Sequence, residues 1–179
     1  MIESFLKLFP VPLKSQKIQI IGPKPQKVFP CAFFDGAAAE KIGGAGYVIY
    51  LNDNHFFSFS LGCGCSTNTR AELLALWAVL RVSWMMGLPT HLIFGDSMVI
   101  ISWLNGLSTL YILSLMHWCD EINNMLQLVP PVIFKHIYRE HNMMVDGLSK
   151  QGLKLNMGYG TFFETLDGKV IEHGQFMLF

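Results

Sequence analysis

The stretch FFDGAAAEKIGGAGYVIY, residues 33–50, holds two apolar runs separated by small residues and a glycine cluster. The runs are rich in aromatic and β-branched residues, which favour strands. They predict strands over residues 29–35 and 46–52, with a small-residue turn after Asp35. An acid at the end of so apolar a strand is unexpected, because burying an ionised group without a partner is costly. Asp35 is therefore a candidate functional residue.

The rest of the chain alternates between strand and helix patterns. The stretch TNTRAELLALWAVLRVSWMMG, residues 67–87, has apolar residues at helical spacing, and Gly87 ends it. The other predicted elements are strands over 55–61, 91–96 and 132–138 and helices over 97–105, 112–128 and 143–153. This order predicts an α/β protein with a mixed sheet covered by helices.

The two ends of the chain differ from this central part, residues 29–153. Residues 1–28 contain four prolines and five lysines against one acid, which predicts a basic linker. Its lysines either contact phosphates or are simply solvated. The tail, residues 154–179, is predicted to form a small hairpin that turns at Asp167-Gly168.

Composition narrows the functional classes. In 179 residues the hydrophobic fraction is 51% and the formal net charge is zero. These values predict a folded domain and argue against binding nucleic acid by charge alone. The four cysteines lack the spacing of a zinc site, so we expect reduced thiols in an intracellular, nuclear or cytoplasmic, compartment. The N-terminus does not have the pattern of a secretory signal.

One segment resembles a membrane span. Residues 97–119 contain no charged side chain, and 23 such residues could cross a bilayer. However, Asn105-Gly106 is a turn signal in the middle of the run. Two buried helices with a short connection, and no membrane, are the preferred interpretation.

Four acids fall where active sites form in α/β proteins. Asp35 and Asp96 end predicted strands, and Glu72 and Asp146 lie near predicted helix starts. Each also has a structural explanation. Asp-Gly is a common turn pair, Thr69 to Glu72 fits a capping box, and acids favour helix starts. For each acid taken alone, both interpretations stay open.

Taken together, the four acids predict a metal site. Carboxylates brought together repel one another, so they need divalent cations or raised pKa values. Oxygen ligands suit hard ions such as Mg²⁺ or Mn²⁺. Two such ions can activate a water and stabilise the leaving oxygen of a phosphodiester.

Four motifs in a fixed order carry a family resemblance. They are FFDGA…GGAGYVIY, TNTRAELLAL, FGDSMVIISW and HIYREHNMMVDGLSK, between Cys31 and Gln151. Together they resemble the type 1 ribonuclease H family. The resemblance is greatest to the plant branch found in retrotransposon polyproteins and as free-standing proteins. It implies a ribonuclease H fold: a five-stranded mixed sheet, its first three strands antiparallel, flanked by helices.

The resemblance also implies a reaction. Asp35, Glu72, Asp96 and Asp146 match the acids that bind two Mg²⁺ or Mn²⁺ ions, and His136 matches the histidine that assists product release. The implied activity is endonucleolytic hydrolysis of the RNA strand of an RNA/DNA hybrid, leaving 5′-phosphate and 3′-hydroxyl ends.

The loop before the glutamate reads the RNA minor groove in this family. Asn68 lies in that loop and offers both a donor and an acceptor to a 2′-hydroxyl. The glycines at 43, 44 and 46 either let the backbone approach the hybrid or form a turn. The full set of expected nucleic-acid contacts is Gly36, Thr67, Asn68, Thr69, Arg70 and Ser97.

Two departures from the family pattern keep an alternative open. Some members carry a basic loop between the middle helices, but residues 105–113 contain no Lys or Arg. With zero net charge, we expect weak hybrid binding unless the linker, a partner or a larger polyprotein supplies affinity. The alternative is a non-catalytic, retroelement-derived module that binds nucleic acid or protein.

Overall fold

The computed structural model describes residues 22–179, so most of the predicted linker lies outside the described residues. Residues 22–30 contain neither helix nor strand. In chain order the elements are β1 Cys31–Ala39, β2 Ile42–Asn52, β3 His55–Cys65, α1 Asn68–Met85, β4 Leu92–Gly95, α2 Met98–Leu104, α3 Met116–Leu128, β5 Ile133–His136, α4 Met143–Gly152, β6 Tyr159–Leu166 and β7 Lys169–Met177.

The strands form one mixed sheet in the order β5-β4-β1-β2-β3-β6-β7. β1, β2 and β3 form the expected antiparallel meander, while β4 and β5 run parallel to β1. The prediction of five strands was wrong, because the sheet has seven strands within residues 22–179. The tail folds as a hairpin around Asp167-Gly168, and its first strand pairs with β3 from His55 to Leu61.

The opening motif folds differently from the prediction at its centre. β1 continues past Asp35 to Ala39, and the chain turns at Glu40-Lys41, where φ is 51° and 66°. Asp35 therefore lies in mid-strand, opposite Gly46. The interpretation of Asp35 with its following glycine as a turn was wrong, since strand pairing extends four residues further.

The glycine cluster is part of strand β2, and Gly44 and Gly46 lie beneath α4. A Cβ at Gly44 would come 2.2 Å from the backbone oxygen of Ser149, and one at Gly46 would come 2.4 Å from its nitrogen. These glycines therefore let the backbone of α4 approach the sheet, a role that neither sequence interpretation anticipated.

Helices cover both faces of the sheet. On one face α1 and α3 pack over side chains such as Phe34, Tyr47 and Leu61 in the larger core cluster. On the other, α4 packs through Val145 and Leu148 over a smaller cluster. All four cysteines are free thiols.

The uncharged run of residues 97–119 folds as two helices with a connection. α2 ends at Leu104 with Asn105 as its C-cap, and a short 3₁₀ turn, Leu113–Leu115, precedes α3. Within residues 22–179 no helix is long and apolar enough to cross a membrane.

Candidate metal and nucleic-acid site

Three of the four predicted acids converge where the first turns of α1 lie against strand β1. Asp35 projects from the middle of β1, Glu72 from the first turns of α1, and Asp96 follows the end of β4. One carboxylate oxygen from each lies within 4.8 Å of the others. β1 and β4 are parallel neighbours, which explains why residues distant in sequence meet here.

The acids raise one another's pKa. Burial is the main cause of the rise in the pKa of Asp35 to about 7, and the charge of Asp96 adds to it. Burial likewise raises the pKa of Glu72 to about 7, although the Ser97 hydroxyl opposes this. Asp96 also has a raised pKa through burial, opposed by the charge of Arg139. The cluster is thus poorly compensated by the protein itself.

A divalent ion fits this environment. The buried Oδ2 of Asp96 accepts no hydrogen bond from any residue between 22 and 179. Its nearest cation is Arg139, whose Nε lies 3.7 Å away on a side chain that is 83% exposed. Three hard oxygen donors, like-charged and one of them unpartnered, form a set that Mg²⁺ or Mn²⁺ would satisfy.

The fourth acid is oriented differently. Asp146 lies in the first turn of α4, close enough to raise the pKa of both Asp35 and Asp96. Its Oδ2 accepts a hydrogen bond of 2.7 Å from the ammonium of Lys150, four residues along the same helix. Asp146 is therefore adjacent to the three-acid cluster but already paired.

His136 lies at the end of β5, opposite Gly95 of β4. Its Nε2–H donates to the backbone oxygen of Asp96 at 3.2 Å. The histidine is thus attached to the segment that carries an acid of the cluster.

Asn68 was expected in a loop, but it is the first residue of α1, and part of its hydrogen-bonding capacity is used within the protein. The side-chain oxygen of Asn68 accepts from the backbone N–H of Ala38 at 2.8 Å, which leaves its amide N–H groups as donors. The helix cap is Thr67, whose hydroxyl accepts from the backbone N–H of Arg70. A capping box starting at Thr69 was therefore a wrong prediction, because the helix begins earlier.

Two other predicted contact residues have structural partners. The guanidinium of Arg70 donates to the backbone oxygens of Cys63 and Cys65, at 3.0 and 2.6 Å. Gly36 donates its N–H to Asp35, and a Cβ there would come 2.2 Å from the backbone nitrogen of Glu72. Gly36 therefore allows α1 to bring its glutamate up to β1. Ser97 is the N-cap residue of α2.

Sequence reasoning missed Arg139 and Asn142. Asn142 is only 2% exposed and donates its side-chain amide to the backbone oxygen of Phe34, one residue before Asp35. The two residues follow His136 within the quoted motif, but nothing in their spacing predicts contact with β1 or Asp96.

The chain is similar to known proteins in sequence. The model of the reverse transcriptase-like family matches residues 33–152. A protein of Arabidopsis thaliana that is provisionally named a ribonuclease H is 33% identical over 106 residues, which cover 58% of this chain and 17% of that protein. The protein YpeP of Bacillus subtilis is 30% identical over 129 residues, which cover 66% of this chain and 56% of that protein. The chain therefore spans 56% and 17% of the length of these two curated relatives.

Solved structures give a similar result. Ribonuclease H1 from the archaeon Halobacterium salinarum superposes with a TM-score of 0.64 at 25% identity, covering 68% of this chain and 95% of that one. LC11-RNase H1, solved in complex with an RNA/DNA hybrid, gives a TM-score of 0.61 at 25% identity, covering 69% and 95%. Both matches leave about a third of this chain uncovered.

Proposed function

Since the chain belongs to the type 1 ribonuclease H-like family, we propose that it is a metal-dependent endonuclease that hydrolyses the RNA strand of RNA/DNA hybrids. The observation that carries the proposal is the convergence of Asp35, Glu72 and Asp96 within 4.8 Å. Further support comes from LC11-RNase H1, which has the same fold and was solved with a hybrid.

Asp35, Glu72, Asp96 and Asp146 are the residues that would hold two Mg²⁺ or Mn²⁺ ions. Ions held in this way lower the pKa of a bound water and neutralise charge on a phosphodiester. The fold holds these carboxylates in fixed positions. Asp35 is only 7% exposed in the middle of a paired strand, so its carboxylate has little freedom to move away from its neighbours.

Recognition of RNA depends on the N-terminus of α1, at Thr67 and Asn68. The side-chain oxygen of Asn68 accepts a hydrogen bond from the backbone N–H of Ala38, which orients the amide N–H groups as donors for a substrate. A 2′-hydroxyl oxygen can accept one, whereas a deoxyribose has no such group. The exposed hydroxyl of Thr67 lies beside it.

The loop from His136 to Asn142 supplies the remaining polar groups. The exposed guanidinium of Arg139, beside Asp96, can pair with a substrate phosphate. His136, attached to the backbone of Asp96, is placed to accept or deliver a proton as product leaves. These contacts use individual side chains, so they are compatible with a chain whose net charge is zero.

A second candidate is the non-catalytic binding module. The observation that favours it is the 2.7 Å pair between Lys150 and Asp146, which neutralises the acid that the first candidate needs as a ligand. Under this alternative the protein binds hybrids without cutting them.

The test is strand-specific cleavage. The full chain is incubated with a hybrid labelled separately on each strand, in Mg²⁺, in Mn²⁺ and in EDTA, beside duplex DNA and duplex RNA. Metal-dependent cutting of the RNA strand of the hybrid alone, with 5′-phosphate ends, supports the endonuclease. Hybrid binding by the folded protein without cutting in either metal supports the module.

The narrower placement in the plant retrotransposon branch is also part of the proposal. The Arabidopsis relative and the reverse transcriptase-like match support it. A larger polyprotein or a partner that adds affinity for the hybrid belongs to the same hypothesis.

A further inference from the structure

The segment before β1 contacts the loop that carries His136 and Arg139. We call residues 22–27 the strap and residues 136–142 the catalytic loop. The strap lies outside the family match, which begins at residue 33, and it reaches the catalytic loop across 118 positions of sequence. Its contacts therefore need an explanation of their own.

Both backbone polar groups of Gly22 are bonded to the catalytic loop. The N–H of Gly22 donates to Oε1 of Glu140 at 2.9 Å. The Nε2–H of His141 donates to the carbonyl oxygen of Gly22 at 2.7 Å. Glu140 and His141 directly follow Arg139 in a 3₁₀ turn, so their bonds to Gly22 also restrain the backbone of Arg139.

A packing contact links the strap to His136. Gly22 lies against the ring of Tyr138, so closely that a Cβ would come 1.9 Å from the ring carbon Cδ2. The Tyr138 ring in turn meets the ring of His136 edge-on, with centroids 5.7 Å apart. His136 donates to the backbone of Asp96, so the chain of contacts reaches an acid of the cluster.

The other end of the strap is attached to the sheet. The ammonium of Lys27 lies 3.3 Å from Oδ1 of Asp53, in the turn between β2 and β3, and 4.3 Å from the ring centroid of Tyr50. The strap therefore has contacts at both of its ends, with the sheet through Lys27 and with the catalytic loop through Gly22.

We infer that the strap is a clamp, which holds the side chains of His136 and Arg139 in position beside the acidic cluster. Its positioning residues are Gly22, Tyr138, Glu140 and His141. The inference rests on the proposed nuclease activity for its functional part. Its structural part, that Gly22 orders the catalytic loop, stands separately. Small displacements of catalytic groups lower turnover strongly, about a hundredfold for 1 Å.

The test uses point variants of the full chain. Gly22→Ala adds one methyl group against the Tyr138 ring, and Glu140→Ala removes the acceptor, whereas Glu140→Gln retains it. The control is Gln26→Ala, an exposed position on the same strap. The readouts are kcat and KM for hybrid cleavage, and hydrogen exchange at the amides of residues 141 and 142, which are bonded within the 3₁₀ turn.

We expect Gly22→Ala and Glu140→Ala to lower kcat about tenfold or more at little change in KM, with faster exchange at both amides. Glu140→Gln should recover most of the loss, and Gln26→Ala should match the wild type. Unchanged exchange in Gly22→Ala would overturn the clamp itself. Faster exchange with unchanged kcat would overturn its positioning role. If the wild-type protein cuts no hybrid, the nuclease proposal and the functional part of the clamp fail together, while exchange still decides the structural part.

Discussion

Replacing Asp35 with asparagine should abolish cleavage and yet stabilise the metal-free protein at pH 8. In the folded chain burial and the charge of Asp96 raise the pKa of Asp35 from 3.8 to about 7. Between these values the unfolded chain has released the proton while the folded chain still binds it. The free energy of unfolding therefore falls as the pH rises from about 4 to about 7.

The size of the effect follows from the pKa. Each pKa unit corresponds to about 1.36 kcal/mol, so the ionised carboxylate costs the folded state up to about 4 kcal/mol above pH 7. An asparagine at position 35 keeps an acceptor for the N–H of Gly36 but buries an amide, at a cost of about 1–3 kcal/mol. The net stabilisation of Asp35→Asn should be about 1–3 kcal/mol at pH 8, whereas near pH 4 only the amide cost remains and the variant should be about 1–3 kcal/mol less stable than the wild type.

The assay is urea unfolding in EDTA at pH 5 and pH 8, with Asp120→Asn, an exposed acid on α3, as the control. The control should show no comparable gain. Addition of Mg²⁺ at pH 8 should stabilise the wild type, because binding to the folded state adds to its stability, and should stabilise Asp35→Asn less. A wild-type stability that does not fall between pH 5 and 8, or a destabilised Asp35→Asn in EDTA at pH 8, would refute the reasoning.

Three further variants test neighbouring parts of the site. Gly36→Ala should destabilise the protein by about 1–3 kcal/mol in thermal or urea unfolding, because the added methyl group would meet the backbone of α1 at 2.2 Å; unchanged stability would contradict that packing. Asn68→Asp keeps the side-chain acceptor but loses the amide donors, so competition binding should show a smaller preference for hybrid over duplex DNA at nearly unchanged stability; an undiminished preference would mean that this side chain does not read RNA. Lys150→Gln frees Asp146, so calorimetric titration should show tighter Mg²⁺ binding; binding that is no tighter would show that Lys150 does not compete with the metal for Asp146.

The sequence predicts the acids of this site better than their surroundings. Asp35, Glu72 and Asp96 were recognisable because strand ends and helix starts in an α/β sheet meet at one edge, a rule that needs only element order. It was enough to anticipate their convergence even though the end of β1 was misplaced by four residues. Side-chain pairing within a helix, as between Asp146 and Lys150, does not follow from that rule.

Long-range partners explain most of what was missed. Arg70 resembles a phosphate contact in sequence, but its guanidinium donates to carbonyls of β3. The tail has the sequence pattern of a hairpin. Its pairing with β3, which widens the sheet to seven strands, was not predicted because no sequence pattern indicates which strand edge the hairpin joins. The contacts of Gly22 were the hardest to predict, because they use its backbone and a glycine has no side chain that could indicate a partner.

The most direct test of the central claim is single-turnover cleavage of the RNA strand of a hybrid in Mg²⁺ by the wild type beside Asp96→Asn. Even the outer hydrogen-bond partners of metal ligands contribute about 10- to 100-fold, so loss of a ligand itself should lower the rate more than about a hundredfold. We expect that loss of rate in Asp96→Asn, with hybrid binding and folding retained. Equal cleavage by both proteins would show that the acidic cluster does not carry the reaction.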